Sequence, residues 1–274
     1  MKELTLQEIH EATLEMMDYI HALCEEHGIV YYVGFGSLIG TVRHNGFIPW
    51  DDDFDIQMPR KEFERFREVF EKTDHPAYYR LCERKNTKNY YYGIPRFSDT
   101  RYRYVTTNPA EEAFDNGLFI DIYPLDNFGS TRAEAERVKK KVDRLNVMYT
   151  YYINRRNPRG GIMNVIQGVS HALLRIRFGN RLPERIDDMV LKTIRKYTSD
   201  EDTQIGEVCW DYITSPYPKE WFRERILHDF EGRQYWIPGD YDPLLRFDYG
   251  DYMQLPPEEE RTGTRHGYKL MKAE

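Results

Sequence analysis

Cysteine is scarce in this chain. Cys24, Cys82 and Cys209 are the three among 274 residues, an odd number with no Cys-x-x-Cys spacing. That usage argues against a disulfide framework and against a thiolate zinc site, and suits buried thiols in a reducing compartment. Long apolar runs are missing too; no stretch approaches the roughly 18 residues that a membrane span requires. Residues 1–17 lack a basic segment followed by an apolar one, so no signal peptide is expected and a cytoplasmic location is. Positive charge is in deficit, with 39 Lys and Arg against 46 Asp and Glu, a net charge of −7. A general nucleic-acid binder would carry a basic footprint, so nucleic acid is not an expected partner.

What the chain has in excess is tyrosine, 22 residues within a 15% aromatic content. Tyrosine suits half-buried surfaces and ligand clefts, because its ring packs while its hydroxyl stays bonded; a Tyr-rich core explains the count equally well. Thr5 and Glu8 form a capping box, after which Leu6, Ile9, Thr13, Met16, Met17 and Ile20 recur at helical spacing up to Gly28. Residues 29–33 read as a short buried strand, 34–37 as a glycine-and-serine turn and 44–46 as a loop. Pro59 and Arg60 open a helix with Phe63, Phe66, Val69 and Phe70 on one face. From Tyr78 to Asp126 the pattern is strand-like, including Tyr90 to Tyr92. Residues 131–197 turn helical, with Val138, Val142, Leu145 and Tyr149 as one stripe. The expectation is an α+β fold with a mixed-sheet core over 1–128 and a helical insertion over 129–200. A C-terminal segment, 201–274, packs back on the core.

Asp51, Asp52, Asp53 and Asp55 place four acids in five residues. Neighbouring carboxylates repel, and some would be driven to protonate without a compensating cation. Read as a strand, 53–56 puts Asp53 and Asp55 on one face and Phe54 and Ile56 on the other. Two same-face carboxylates are hard oxygen ligands of the kind Mg²⁺ or Mn²⁺ takes beside substrate phosphates. A solvated acidic loop is the competing reading, countered by the interleaved Phe54, Ile56 and Met58. A calcium loop fails, because Ile56 stands where such a loop needs glycine and Pro59 fits poorly at its ninth position. Asp121, flanked by apolar residues in 118–123, is either an edge-strand acid facing solvent or a third site acid. In the second role it completes a metal site or serves as general base. Strand, Gly-Ser turn, Asp-x-Asp strand and a separate Asp strand follow in the order of a nucleotidyltransferase-type core.

Residues 36–56, reading GSLIGTVRHNGFIPWDDDFDI, strongly resemble the LicD family. The likeness continues in 119–126 and in 249–261, and so brackets most of the chain, least closely over the helical middle. It implies a polymerase-beta-like nucleotidyltransferase fold and transfer of phosphocholine from CDP-choline to a hydroxyl of a cell-surface glycan. Teichoic acid and lipopolysaccharide are the implied acceptor types, and CMP is the released product. By position, Asp53 and Asp55 would be metal ligands for Mg²⁺ or Mn²⁺, and Asp121 the third acid. Gly36 and Ser37 would touch the donor phosphates, with Arg43 and His44 neutralising charge there. Arg96 stands where relatives carry lysine and would serve as a planar, bidentate phosphate-binding cation. His266 lies in a looser setting and carries no assigned role. The family is related to the fukutin-type transferases, so another alcohol phosphate on a CDP donor is an alternative. So are a conventional nucleotidyl transfer to a small acceptor and a metal-free binding subunit.

Between Arg155 and Arg185 there are seven arginines and one acid, Glu184, interleaved with a broad apolar set. A basic amphipathic helix in an acidic protein either lies on an anionic membrane, where a lipid-linked acceptor would be found, or packs on the core and presents arginine outward.

Overall fold

The structure is a computed structural model of the 274-residue chain. It describes all residues except 91, 107–113, 115–116, 155–159, 197–202, 209–215, 262–267 and 273–274, and the side chain of Asn180. Cys209 and His266 therefore lie outside the described residues. Two compact units emerge. One comprises Met1–Glu83, Ile94–Leu125 and Lys219–Glu274; the other comprises Arg84–Gly93 and Asp126–Pro218.

The first unit opens with α1 (Leu6–His27), started by the Thr5/Glu8 capping box and ended by Gly28 in the left-handed conformation. Its Met16, Met17 and Ile20 are fully buried. There follow β1 (Tyr32–Val33), α2 (Phe35–His44), β2 (Asp55–Pro59), α3 (Arg60–Lys72), β3 (Tyr79–Cys82), β4 (Arg96–Asp99), β5 (Tyr102–Thr106) and β6 (Leu118–Gly129). The sheet runs β1-β2-β6-β4-β3, with β2 and β6 parallel and the other pairs antiparallel. This is an α+β arrangement around a mixed sheet. α3 buries Phe63, Phe66 and Phe70, and the last two meet Phe97 of β4 edge-on at 6.4 and 5.4 Å.

A hairpin of β9 (Arg225–Phe230) and β10 (Arg233–Pro238) turns through Glu231 and Gly232, both at positive φ, as a two-residue hairpin requires. Its Phe230 stands 4.9 Å from Phe47 and 5.2 Å from Phe54, extending the aromatic core beneath the acidic segment. α7 (Tyr241–Tyr249) and β11 (Tyr268–Lys272), which pairs with β5, complete the unit.

Four sequence expectations need correction. Residues 34–37 are not a turn but the start of a helix: Gly34 caps α2, which needs Gly40 because a Cβ there would meet the Gly46 carbonyl oxygen at 2.5 Å. The strand expected from Asp53 starts at Asp55, and that expected from Ile29 is only Tyr32–Val33. Tyr90 and Tyr92 are buried but lie outside any strand.

The second unit is mainly helical: α4 (Arg132–Ile153), α5 (Gly161–Phe178) and α6 (Leu182–Ile194), with β7 (Gln204–Glu207) and β8 (Tyr217–Pro218) paired beside them. The stripe on α4 turns inward, and Val138, Val142, Tyr149 and Tyr152 pack with Leu182, Ile186, Val190 and Ile194. Arg84 lies 4.1 Å over the Tyr149 ring and ion-pairs with Asp187.

Candidate active site

The site begins with strand register. Asp55 on β2 is the Cα partner of Asp121 on β6, and Asp121 is in turn the partner of Arg96 on β4. Register partners point to the same face, so one row across three adjacent strands reads carboxylate, carboxylate, guanidinium. All three residues are buried. Arg96 donates from Nε to Asp121 Oδ1 at 2.6 Å, with a longer contact of 3.5 Å from the guanidinium to Oδ2. The same guanidinium lies 3.7 Å from the Phe119 ring centroid, which fixes its plane. Arg96 is thus ion-paired with Asp121 within the buried row.

Among the described residues, Asp55 has no such counter-charge of its own. Burial, then the neighbouring carboxylates Asp53, Asp121 and Asp51, push its pKa well above the ordinary range, and Arg96 opposes this only in part. Asp53 therefore belongs to the cluster although strand alternation does not place it there. The ladder begins one residue later, with the Asp121 N–H donating to the Phe54 carbonyl.

The N-terminus of α2 faces this cluster. The Gly34 N–H donates to the Asp55 carbonyl, and the Asp55 N–H donates to the Ser37 hydroxyl at 2.9 Å. Gly36 is close enough to Asp51 that an added Cβ would stand 3.1 Å from its Oδ2. The N-cap residue, Gly34, has no side chain with which to cap this helix end, and Phe35 holds a φ of +49°, which a bulky residue rarely adopts. The Phe35 ring packs on Tyr123 at 4.5 Å, and Tyr123 lies two residues beyond Asp121, on the same face of β6.

Arg43 and His44 lie elsewhere. They occupy the last turn of α2, about 10 Å along the axis from Gly36. Arg43 donates to the carbonyls of Tyr252 and Gln254. His44 and Arg261 both approach Trp50, at 6.4 and 5.8 Å from its ring centroid. Burial and then the charge of Arg261 lower the Arg43 pKa, and burial and then Arg43 lower that of His44. This is a second, cationic cluster, and Arg261 is a member that residue type and spacing did not single out.

Two tyrosines from the C-terminal part also border the acids. Tyr249 is 43% exposed as a residue, while its hydroxyl is largely buried. That burial, followed by the charges of Asp55, Asp248, Asp53 and Asp51, raises its pKa strongly. Tyr268 is buried, and its pKa is likewise raised by burial and then by Asp52 and Asp53. Sequence reasoning assigned neither a role, since tyrosine carries no spacing signal; the one available hint was that 249–261 resembles the family text.

Among the described residues, no three His, Cys, Asp or Glu side chains converge tightly enough to hold a metal ion between them. The donor set still suits Mg²⁺, which takes one or two carboxylates and completes its shell with water and substrate phosphate. The raised pKa of Asp55 marks the charge that such a cation would relieve.

Residues 28–146 match the family model described as the LicD/FKTN/FKRP nucleotidyltransferase domain. The chain is 32% identical over 264 residues to the lipopolysaccharide cholinephosphotransferase LicD of Haemophilus influenzae, covering 95% of this chain and 96% of that one. The chain belongs to the LicD family. Shorter likenesses reach uncharacterized proteins of Rickettsia typhi, 36% over 55 residues, and Rickettsia prowazekii, 29% over 77 residues. They cover 20% and 26% of this chain, and 18% and 29% of the respective relatives. The LicD domain match spans Asp53, Asp55, Arg96, Asp121, Phe35 and Tyr123. Tyr249, Arg261 and Tyr268 lie beyond it, within the chain length that the Haemophilus LicD similarity nearly fills.

Proposed function

We propose that this LicD-family protein transfers phosphocholine from CDP-choline to a hydroxyl of a cell-surface glycan and releases CMP. The observation that carries the reading is the end-to-end likeness to a lipopolysaccharide cholinephosphotransferase, in a chain whose Asp55 and Asp121 stand side by side. The core is read as nucleotidyltransferase-type. The reaction is assigned to the cytoplasm, at the inner face of the membrane, on a lipid-linked acceptor; among the described residues no helix is long and apolar enough to cross a membrane.

In this scheme the acceptor oxygen attacks the phosphorus bearing choline. The bond from that phosphorus to the bridging oxygen breaks in line, and CMP departs with the oxygen. Asp121, oriented by Arg96, accepts the hydrogen bond of the attacking hydroxyl and takes its proton. The amides at the start of α2, with Gly36 allowing close approach and Ser37 fixing the helix to β2, receive the donor phosphates. Asp53 and Asp55 would hold Mg²⁺ or Mn²⁺, which when bound would supply neutralising charge at the diphosphate. Arg43, His44 and Arg261 serve the cytidylyl half of the donor. The partly exposed Phe35–Tyr123 pair offers aromatic faces to the quaternary ammonium, each contact contributing about 0.5–2 kcal/mol.

Donor profiling tests the reading. Purified protein is offered CDP-choline, CDP-ethanolamine, CDP-glycerol and CDP-ribitol with lipopolysaccharide or teichoic acid, and the products are identified by mass spectrometry. Free CMP together with a phosphocholine-bearing glycan is expected. A preference for another CDP-alcohol would change the substrate, and nucleotide attached to the acceptor would indicate conventional nucleotidyl transfer.

A further inference from the structure

α5 carries apolar side chains on two faces. One face packs inward: Gln167 is buried and donates to the Asn154 carbonyl, while Leu174 and Phe178 join the helical core. The other does not. Ile162 (76% exposed), Val165, Ile166, Val169, Leu173 and Ile176 (83% exposed) all face solvent. At 3.6 residues per turn these six fall within an arc of about 100°, one unbroken aliphatic stripe along the whole helix.

The charge around the stripe has one sign. Residues 161–178 include no acid, and Arg177, Arg181 and Arg185 follow at the C-terminal end, all exposed, against the single acid Glu184. Arg177 and Arg185 both lie over the Phe178 ring, at 5.2 and 5.8 Å, so the arginines gather at one end of the stripe. This local excess occurs in a chain of net charge −7. A second copy of this helix would offer these arginines no carboxylate partner, since residues 161–178 contain no acid. An anionic lipid surface accepts both features at once: acyl chains take the stripe and headgroups take the arginines.

We propose that α5 is an in-plane membrane anchor that seats the helical unit on anionic phospholipid. It lies in the interface and does not span it. The proposal uses none of the residues assigned to catalysis and stands or falls apart from them.

The full-length protein is floated with vesicles of phosphatidylcholine, with and without phosphatidylglycerol. Flotation is expected with the anionic vesicles at low salt, weakening as salt screens the arginines. The triple change Ile162→Ser, Val169→Ser and Ile176→Ser should abolish it while leaving the thermal melt in place, since all three side chains are exposed. Arg177→Glu with Arg181→Glu should weaken flotation on anionic vesicles alone. A Val169→Trp reporter should shift to shorter emission wavelength on lipid. Absence of flotation at low salt overturns the proposal. So does a dimer in sedimentation that the serine changes dissolve, because the stripe would then be a protein interface.

Discussion

Asp55 and Asp121 are register partners on neighbouring parallel strands, and of the two, Asp121 is the one hydrogen-bonded to the Arg96 guanidinium. Both are buried, so the pair holds more negative charge than the protein alone compensates. A carboxyl whose folded-state pKa is raised stabilises the fold most below its unfolded pKa, about 3.9, and loses that contribution as pH rises. In metal-free protein Asp55 therefore opposes folding at neutral pH. Asp55→Asn should raise the melting temperature of chelated protein near pH 7 and abolish turnover. Mg²⁺ or Mn²⁺ should raise the melting temperature of the wild type and not of the variant. A cation-independent melt in the wild type, or turnover by the variant, would count against Asp55 as a ligand.

Arg96 separates positioning from charge. Arg96→Lys keeps the positive charge but loses the planar hold on Asp121 and the stacking over Phe119. If Asp121 acts on the acceptor hydroxyl, kcat should fall by about tenfold or more, as one charged hydrogen bond of 1.5–3 kcal/mol allows, with KM for CDP-choline little changed. Arg96→Ala strands a buried carboxylate and should cost about 3–5 kcal/mol of stability, read by urea melts. A lysine variant with wild-type kcat would remove the positioning role. Asp121→Asn that destroys donor binding instead of turnover would move Asp121 to the metal.

Much of this arrangement was legible in the sequence, for identifiable reasons. The capping box, the Phe63/Phe66/Phe70 face and the α4 stripe are local patterns, and each folds as its periodicity says. Acids between apolar residues flagged Asp55 and Asp121 before their partnership was visible. What could not be read is long-range. The register that pairs Asp55, Asp121 and Arg96 depends on which strands become neighbours, and no local signal carries that. The α2 helix was hidden by Gly34 and Gly36, which resemble a turn, because tertiary packing overrides glycine's weak helix preference. Arg43 and His44 adjoin the motif in sequence, yet the helix carries them to its far end.

Donor choice should respond to the aromatic pair. Phe35→Leu and Tyr123→Leu retain bulk but lose the ring face that attracts a quaternary ammonium. Each should raise KM for CDP-choline by about 3–30-fold, the equivalent of 0.5–2 kcal/mol, while a neutral donor such as CDP-glycerol is affected far less. Steady-state kinetics with both donors gives the ratio. Equal losses on both would show that the pair supports the fold of the site rather than recognising choline.

Tyr249 provides the most selective probe of the C-terminal part, because Tyr249→Phe removes one oxygen and leaves the ring in place. Burial of its hydroxyl, and then the charges of Asp55, Asp248, Asp53 and Asp51, raise its pKa, so the phenol keeps its proton throughout the working pH range. In that state it can donate a hydrogen bond to a carboxylate or to a phosphate oxygen, but it cannot act as a base. Losing a donor to a charged partner should lower kcat/KM for CDP-choline by about 10–100-fold, the equivalent of 1.5–3 kcal/mol. The alkaline limb of the pH–rate profile should not move, since Tyr249 does not titrate there. The residue is partly exposed, so the melting temperature should change little. Wild-type kinetics in Tyr249→Phe would leave the phenol outside the reaction; an altered alkaline limb would mean that it ionises during turnover and is a base after all.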